Sequence, residues 1–150
     1  MHMQLSRKVI ETIRSLLKTV DFLAYLDSKE MDAMIACMES RPCRKGDTII
    51  RQGDPGDAFY ILTVGAIEVE RDGKFVTRLE KGTYIGEMAL LSNRPRSATV
   101  RAVEEGELYC LPREAFTKIL MHNSKIAAVI QQTAAYRQAQ DRDRAINAEA

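Results

Sequence analysis

Glu87 and Arg96 carry opposite charges at the two ends of a run of small and apolar residues, Tyr84-Ile85-Gly86-Glu87-Met88-Ala89-Leu90-Leu91-Ser92-Asn93-Arg94-Pro95-Arg96-Ser97-Ala98-Thr99-Val100. Gly86 lets a ligand approach the backbone, because no Cβ stands in the way. Glu87 to Leu91 is long enough for one helical turn, whose first N–H groups lack an internal acceptor and suit an anion. Pro95 stiffens the approach to Arg96, and the planar, permanently charged fork of an arginine matches two phosphate oxygens better than a lysine does. Ser97 and Ala98 are small enough to let the ligand reach the backbone, so Met88, Ala89 and Ala98 are expected to act through their N–H groups. A carboxylate beside a phosphate site makes sense when it accepts hydrogen bonds from ligand hydroxyls, such as a ribose 2′-OH. Glu87 and Arg96 then read two parts of one nucleotide.

Such a site needs rigid elements on both sides. From Arg41 to Leu111 the chain consists of short runs of Ile, Val, Phe and Tyr separated by Gly, Asp and Pro, which predicts a small antiparallel β structure. Ala66-Ile67-Glu68-Val69-Glu70 alternates, Asp72-Gly73 is a two-residue hairpin signal, and Lys74 to Leu79 returns as the partner strand. Thr99 to Val103 and Leu108 to Leu111, joined by Glu104-Glu105-Gly106, are expected to form a later hairpin. These strands suffice for a jelly roll. Ahead of them, Val9, Ile10, Ile13, Leu16, Leu17 and Val20 recur at helical spacing, and Phe22 and Leu23 are expected to fold back onto the body. A second helix is expected from Asp27 or Ser28, with Asp27 and Glu30 as a capping pair and Met31, Met34, Ile35 and Met38 as its buried stripe. Packing explains those three methionines better than a metal site does. Pro112 is expected to open a helix carrying Phe116, Ile119 and Leu120. A final helix after Asn123-Ser124 places Ile126, Val129 and Ile130 on one face, a stripe lost after Tyr136.

Composition narrows the function classes. The chain has 150 residues, 29% of them charged, with a formal net charge of +1, so it fits one domain and offers no electrostatic reason to expect nucleic acid or membrane as a partner. Cys37, Cys43 and Cys110 are odd in number and lack Cys-x-x-Cys spacing, which argues for reduced packing residues rather than disulfides or zinc. No apolar run reaches the ~20 residues that span a bilayer, and no signal-peptide core opens the chain. Met1-His2-Met3 reads as a cloning scar ahead of a piece of a larger protein. His2 and His122 are the only histidines. Metal-dependent catalysis inside a barrel is therefore not expected, and no Ser-His or Cys-His pairing is supported. The expected catalytic residues, metal ligands and cofactors are none.

Gly86-Glu87-Met88-Ala89-Leu90-Leu91 followed by Pro95-Arg96-Ser97-Ala98-Thr99-Val100 resembles the phosphate-binding cassette of cyclic nucleotide-binding domains. Upstream, Arg51-Gln52-Gly53-Asp54-Pro55-Gly56-Asp57-Ala58-Phe59-Tyr60-Ile61-Leu62 is similar to the Gly-Asp turn and Phe-Tyr strand of the same family, and Gly65 falls where its next turn is expected. The pattern most resembles the regulatory domains of cyclic nucleotide-dependent protein kinases. The resemblance implies an α+β fold: an antiparallel β jelly-roll barrel flanked by N-terminal helices and C-terminal lid helices. The segments are 1–40, 41–111 and 112–150 of one domain. It also implies a regulatory, non-catalytic module of a cytoplasmic protein, working with a kinase catalytic domain in cis or in trans.

Ligand choice and coupling follow from the same resemblance. With the purine syn, as in the family, guanine presents its N2 amine near Ser97, whose hydroxyl can accept from it while donating to phosphate. That favours cGMP over cAMP by one hydrogen bond. Thr77 lies near where some cGMP-selective domains place an arginine for guanine; here the arginine is Arg78, and a shift of one in a strand reverses its face. Tyr136 is the candidate to cap the base from the last helix. Leu90 and Phe116 match the pair through which cassette movement releases the helix after the barrel. The alternatives are a cAMP-binding regulatory domain of a kinase, channel or exchange factor, and a nucleotide-free interaction scaffold. No kinase catalytic motif and no Arg-Arg-x-Ser-type inhibitory stretch occurs in the chain.

Overall fold

The computed structural model describes residues 6–90 and 94–120, together with Ala128. Helix α1, Arg7–Thr19, starts where the Ser6 hydroxyl accepts from the Val9 N–H at 3.2 Å, and it buries Ile13 and Leu17 one turn apart. A 3₁₀ turn, Asp21–Tyr25, then buries Leu23. Helix α2, Ser28–Ala36, opens on the expected reciprocal cap: the Glu30 N–H donates to Asp27 Oδ1 at 2.8 Å, and the Asp27 N–H donates to Glu30 Oε1 at 2.9 Å. Met31, Met34, Ile35 and Met38 are all buried.

Eight strands follow: β1 (Glu39–Cys43), β2 (Thr48–Ile50), β3 (Ala58–Val64), β4 (Ala66–Arg71), β5 (Lys74–Glu80), β6 (Thr83–Ile85), β7 (Thr99–Ala102) and β8 (Gly106–Pro112). They form two four-stranded antiparallel sheets, ordered β1-β8-β3-β6 and β2-β7-β4-β5. This is the jelly-roll architecture expected, with helices at its flank. Glu39 and Ser40 already pair with β8, ahead of the change in composition at Arg41. Pro112 pairs with Ala58 as the last residue of β8, so helix α3, Arg113–Leu120, begins one residue after it.

The alternation of β3 divides the interior in two. Phe59 and Ile61 point outward to a cluster that contains Ile13, Leu17, Leu23, Met34, Leu111 and Phe116. Tyr60 and Leu62 point the other way, into the barrel, against Ile67, Val69, Val100 and Leu108. Every turn of α1 to α3 that packs on the first sheet therefore depends on one face of β3 and β8.

The Asp72-Gly73 hairpin forms as expected, both residues at positive φ (54° and 78°), which suits a tight two-residue turn between right-twisted strands. The second expected hairpin does not form. β7 pairs with β2 and β4, whereas β8 pairs with β1 and β3, so the connection through Glu104 and Glu105 crosses from one sheet to the other. Alternation identifies a strand but not its neighbour. The crossing is held by the Val103 N–H on the Ala66 carbonyl at 3.0 Å, and the Gly106 backbone lies against the other sheet-changing corner at Val64 and Gly65, leaving no space for a Cβ.

Cys43 and Cys110 are buried in the barrel, and Cys37 is exposed, contrary to a packing role for all three. Among the described residues no helix is long and apolar enough to cross a membrane, and no group of His, Cys, Asp and Glu is placed to hold a metal.

Phe59 is fully buried at the junction of β3 with the helices. Phe59→Ala should lower unfolding free energy by about 3–5 kcal/mol, read from denaturant titration; a change below about 1 kcal/mol would mean the helices do not depend on this face.

Candidate functional site

Backbone pairing positions the cassette before any side chain acts. The Arg96 N–H donates to the Asp54 carbonyl at 2.8 Å, the Gly53 N–H donates to the Arg96 carbonyl at 2.9 Å, and Pro55 bridges to Pro95. This short antiparallel clip fixes the arm carrying Arg96 against the loop that enters β3. A 3₁₀ turn, Glu87–Leu90, closes the other side, its Ala89 N–H donating to the Gly86 carbonyl at 3.1 Å. The tightness of this turn agrees with the single helical turn expected over Glu87 to Leu91.

Arg96 points into the space between these segments and is only 7% exposed. It is not a surface arginine. Its Nη2 donates to the Ala58 carbonyl at 2.5 Å and Nη1 reaches the Gly86 carbonyl at 3.5 Å, while the guanidinium carbon sits 6.0 Å from the centre of the Tyr60 ring. Burial pushes the pKa of the guanidinium down from its ordinary value, opposed by Tyr60, Asp57, Cys110 and Glu87. Glu87 is buried as well, at 4% exposure. The site therefore concentrates one acid and one base out of water, where each interacts more strongly than it would at the surface.

Two glycines make room for that arginine. Gly86 has φ +76°, and a Cβ there would meet Arg96 Nη1 at 2.5 Å. A Cβ on Gly56 would crowd Ala89 Cβ at 3.3 Å and Arg96 Nε at 3.4 Å. Gly86 thus serves both the turn and the close approach.

The remaining expected residues divide into those beside the cradle and those elsewhere. Ala89 is buried and Met88 half-buried on the turn, and Ala98 is fully buried in the barrel. Ser97 is half-buried, and its carbonyl accepts from Arg71 Nε at 3.2 Å. Thr77 lies on β5 opposite Val69, so it shares the barrel-facing side of that sheet. Arg78 faces out and pairs with Glu80 at 3.0 Å and Glu104 at 3.5 Å, as the reversal of face predicts. Leu90 and Phe116 fall in one buried cluster. Tyr136 lies outside the described residues, as do His122 and the final helix apart from Ala128.

Three residues escaped the sequence reading. Arg113, the first residue of α3, donates from Nη1 to the Gly56 carbonyl at 3.1 Å and the Ala89 carbonyl at 3.5 Å, tying the helix to both sides of the cradle. Its signal was a cation at a helix N-terminus, where the helix dipole disfavours one. Tyr60 carries a guanidinium near its ring on two sides, from Arg96 and from Arg41, whose Nη1 donates to the Tyr60 hydroxyl at 3.0 Å. The resemblance marked it only as part of the Phe-Tyr strand, and the strand pattern added no more than a polar tip on an inward position. Arg71 stands at the end of the inward row Ile67, Val69, where period two called for another apolar residue.

Known proteins match this geometry. The sequence model for the cyclic nucleotide-binding domain matches residues 40–123, from β1 through α3. The chain belongs to the cyclic nucleotide-binding domain family. The cAMP-dependent protein kinase regulatory subunit of Yarrowia lipolytica is 40% identical over 114 residues, which is 74% of this chain and 30% of that protein. The cGMP-dependent protein kinase egl-4 of Caenorhabditis elegans is 32% identical over 109 residues, 73% of this chain and 14% of that protein. Among solved structures, the regulatory domain of Toxoplasma gondii PKA in co-crystals with cAMP superposes with a TM-score of 0.70 at 27% identity, over 91% of this chain and 50% of that one. The chain thus spans less than a third of either kinase-related protein. Relatives of both nucleotide types appear, so likeness to cyclic nucleotide-binding domains leaves the base undecided.

Gly86→Ala tests the cradle directly. The positive φ and the crowding of Arg96 should together cost about 1–2 kcal/mol of stability and lengthen the Arg96 to Ala58 contact, checked by thermal unfolding and a crystal structure of the variant. Unchanged stability with Arg96 in place would show that the turn tolerates a side chain.

Proposed function

We propose that this cyclic nucleotide-binding domain is the ligand sensor of a protein kinase, that it prefers cGMP to cAMP, and that occupancy is transmitted through the turn at Glu87–Leu90 to α3. The observation supporting it above all is Arg96: a buried guanidinium held only by backbone carbonyls and a ring face among its hydrogen-bond and cation–π contacts. Carbonyl oxygens carry partial charge. A phosphate carries a full one and can take two N–H groups of the fork at once, so Arg96 gains by exchanging carbonyls for ligand. Gly86, Met88 and Ala98 supply backbone N–H groups around it, Ala89 joins them by giving up the bond of its N–H to the Gly86 carbonyl, Glu87 accepts from the ribose hydroxyl, and Ser97 accepts from the guanine N2 amine. That last contact is worth ~0.5–1.5 kcal/mol, or about two- to tenfold in affinity. Thr77 faces the base from β5, and Tyr136 caps it.

Transmission rests on two contacts between cassette and helix. Leu90 shares a buried cluster with Phe116, and Arg113 holds the Ala89 carbonyl at the end of the turn. Drawing Arg96 onto a phosphate pulls on Gly86 and the turn behind it. A ligand can shift α3 only by the difference in its affinity for the two arrangements, so these contacts set the size of the signal. The regulated kinase catalytic domain acts in cis or in trans, in the cytoplasm. A cAMP-sensing domain of a kinase, channel or exchange factor uses the same cradle and is favoured instead by the cAMP-dependent relatives.

Calorimetric titration of the chain with cGMP and cAMP in parallel is the direct test, expecting tighter cGMP. Arg96→Lys should weaken both ligands by about 2–5 kcal/mol, because the buried bidentate contact is lost; an unchanged binding constant would overturn the site. Leu90→Ala should reduce the ligand-induced change in amide hydrogen exchange across α3 by more than it reduces affinity. Equal losses in the two measurements would place Leu90 in the core alone.

A further inference from the structure

Arg41 stands in β1, outside the cassette and its clip, yet it ends on the same ring as Arg96. It lies two residues before Cys43, which is buried in the barrel, so alternation turns it to the barrel side of β1 at the edge of the first sheet. From there its Nη1 donates to the Tyr60 hydroxyl at 3.0 Å, and its guanidinium carbon sits 5.9 Å from the centre of the Tyr60 ring, against 6.0 Å for that of Arg96. No carboxylate of the described residues pairs with Arg41, whereas Arg14, Arg78 and Arg101 each have one. Its polar partner is the phenol.

That bond fixes the ring. Tyr60 is buried, and a buried phenol needs a partner for its polar tip. Its backbone is held between Ile85 on β6 and Cys110 on β8, and its hydroxyl is held by Arg41, so the ring cannot swing away from Arg96 without breaking the Arg41 bond. The other two contacts of the Arg96 fork, the carbonyls of Ala58 and Gly86, are the ones that a phosphate displaces in the proposed exchange. The ring face competes with no anion, because it attracts the cation through its quadrupole and leaves the N–H groups free to donate. Tyr60 is therefore the contact that Arg96 keeps with and without ligand.

We infer that Arg41 is a positioning residue for the phosphate site: its bond to Tyr60 holds the ring against which Arg96 sets the plane of its fork, and so selects which exocyclic oxygen of a cyclic phosphate the fork meets. Arg41 does this without touching the ligand. The inference rests on the proposed exchange of carbonyls for phosphate and deepens it, since it names what aims the fork during that exchange. A planar two-pronged donor is directional, so a tilt of the guanidinium changes its choice between two oxygens on one phosphorus; a point charge would make no such choice.

The test titrates cGMP, cAMP and the two phosphorothioate diastereomers of each, in which sulfur replaces one exocyclic oxygen or the other, into the unaltered chain, Arg41→Met, Arg41→Lys and Tyr60→Phe. Sulfur accepts hydrogen bonds more weakly than oxygen, so the affinity ratio of the diastereomers reads which oxygen faces the fork. The unaltered chain should discriminate between them. Arg41→Met and Tyr60→Phe break the same bond from its two ends, and each should weaken nucleotide binding about two- to tenfold, the contribution of one hydrogen bond, and shrink the diastereomer ratio by a similar factor. Combining the two should lose no more than either alone, and Arg41→Lys, which keeps a cationic donor, should recover part of the ratio. Thermal unfolding of each variant confirms that it is folded at the titration temperature. An unchanged ratio, with affinity reduced equally for every nucleotide or not reduced at all, would make Arg41 and Tyr60 a structural pair and overturn the inference. Equal binding of both diastereomers by the unaltered chain would overturn it too, and each of these results leaves the pocket standing. Failure of the unaltered chain to bind cGMP or cAMP would overturn both readings together.

Discussion

A guanidinium taken out of water is the constraint around which this fold is arranged. Removing an unpaired charge from solvent costs several kcal/mol unless donors and acceptors replace the lost hydration. Arg96 receives the Ala58 carbonyl and the face of Tyr60 from β3 and the Gly86 carbonyl from the turn after β6. The start of β3 must deliver Ala58, the turn must expose Gly86, and the alternation of β3 must aim Tyr60 inward. Gly56 and Gly86 must lack side chains for the fork to enter. The loop at 53–57, the turn at 86–90 and the arm at 94–98 are therefore not independent segments but three walls of one cradle.

The second consequence is mechanical. The first sheet is buried on both faces, and β3 alternates between them, with Tyr60 on the barrel side and Phe59 and Ile61 on the helix side. The turn at Glu87–Leu90 straddles that division: Gly86 lies against Arg96, while Leu90 belongs to the buried cluster that holds Phe116. Close-packed interiors shift between discrete arrangements more readily than they stretch. A displacement at the anion side of the turn then reaches Leu90 within four residues and α3 through the buried cluster they share, reinforced by the Arg113 bonds to Ala89 and Gly56. This is how a small ligand contact can be proposed to reach a helix without crossing the barrel.

Much of this was legible in the chain. The stripes of α1 and α2, the cap of α2, the Asp72-Gly73 turn, the strand alternation and the cassette depend on neighbours a few residues away, and their signals are local. The failed hairpin of β7 and β8 marks the limit: both strands were recognisable, but their partners are set by which sheet buries each face, and the crossing at Glu104 and Glu105 has no signature that a hairpin lacks. The start of α3 one residue after Pro112 has the same origin, since pairing with Ala58 keeps that proline in β8.

What the sequence determined by itself was residue chemistry at fixed spacing: an acid, an arginine and glycines whose types already specify an anion and a hydroxyl-bearing ligand. Tertiary structure decided which distant groups surround them. Ala58, Tyr60, Arg113 and Arg71 enter the site from separate strands and a helix, and their contacts with Arg96, Ala89 and Ser97 join residues far apart in the chain. Short-range preferences act through φ, ψ and side-chain period over one turn or two strand residues. Contacts between such remote groups arise only when burying both faces of the sheet selects one topology, and that selection is made by the packed whole.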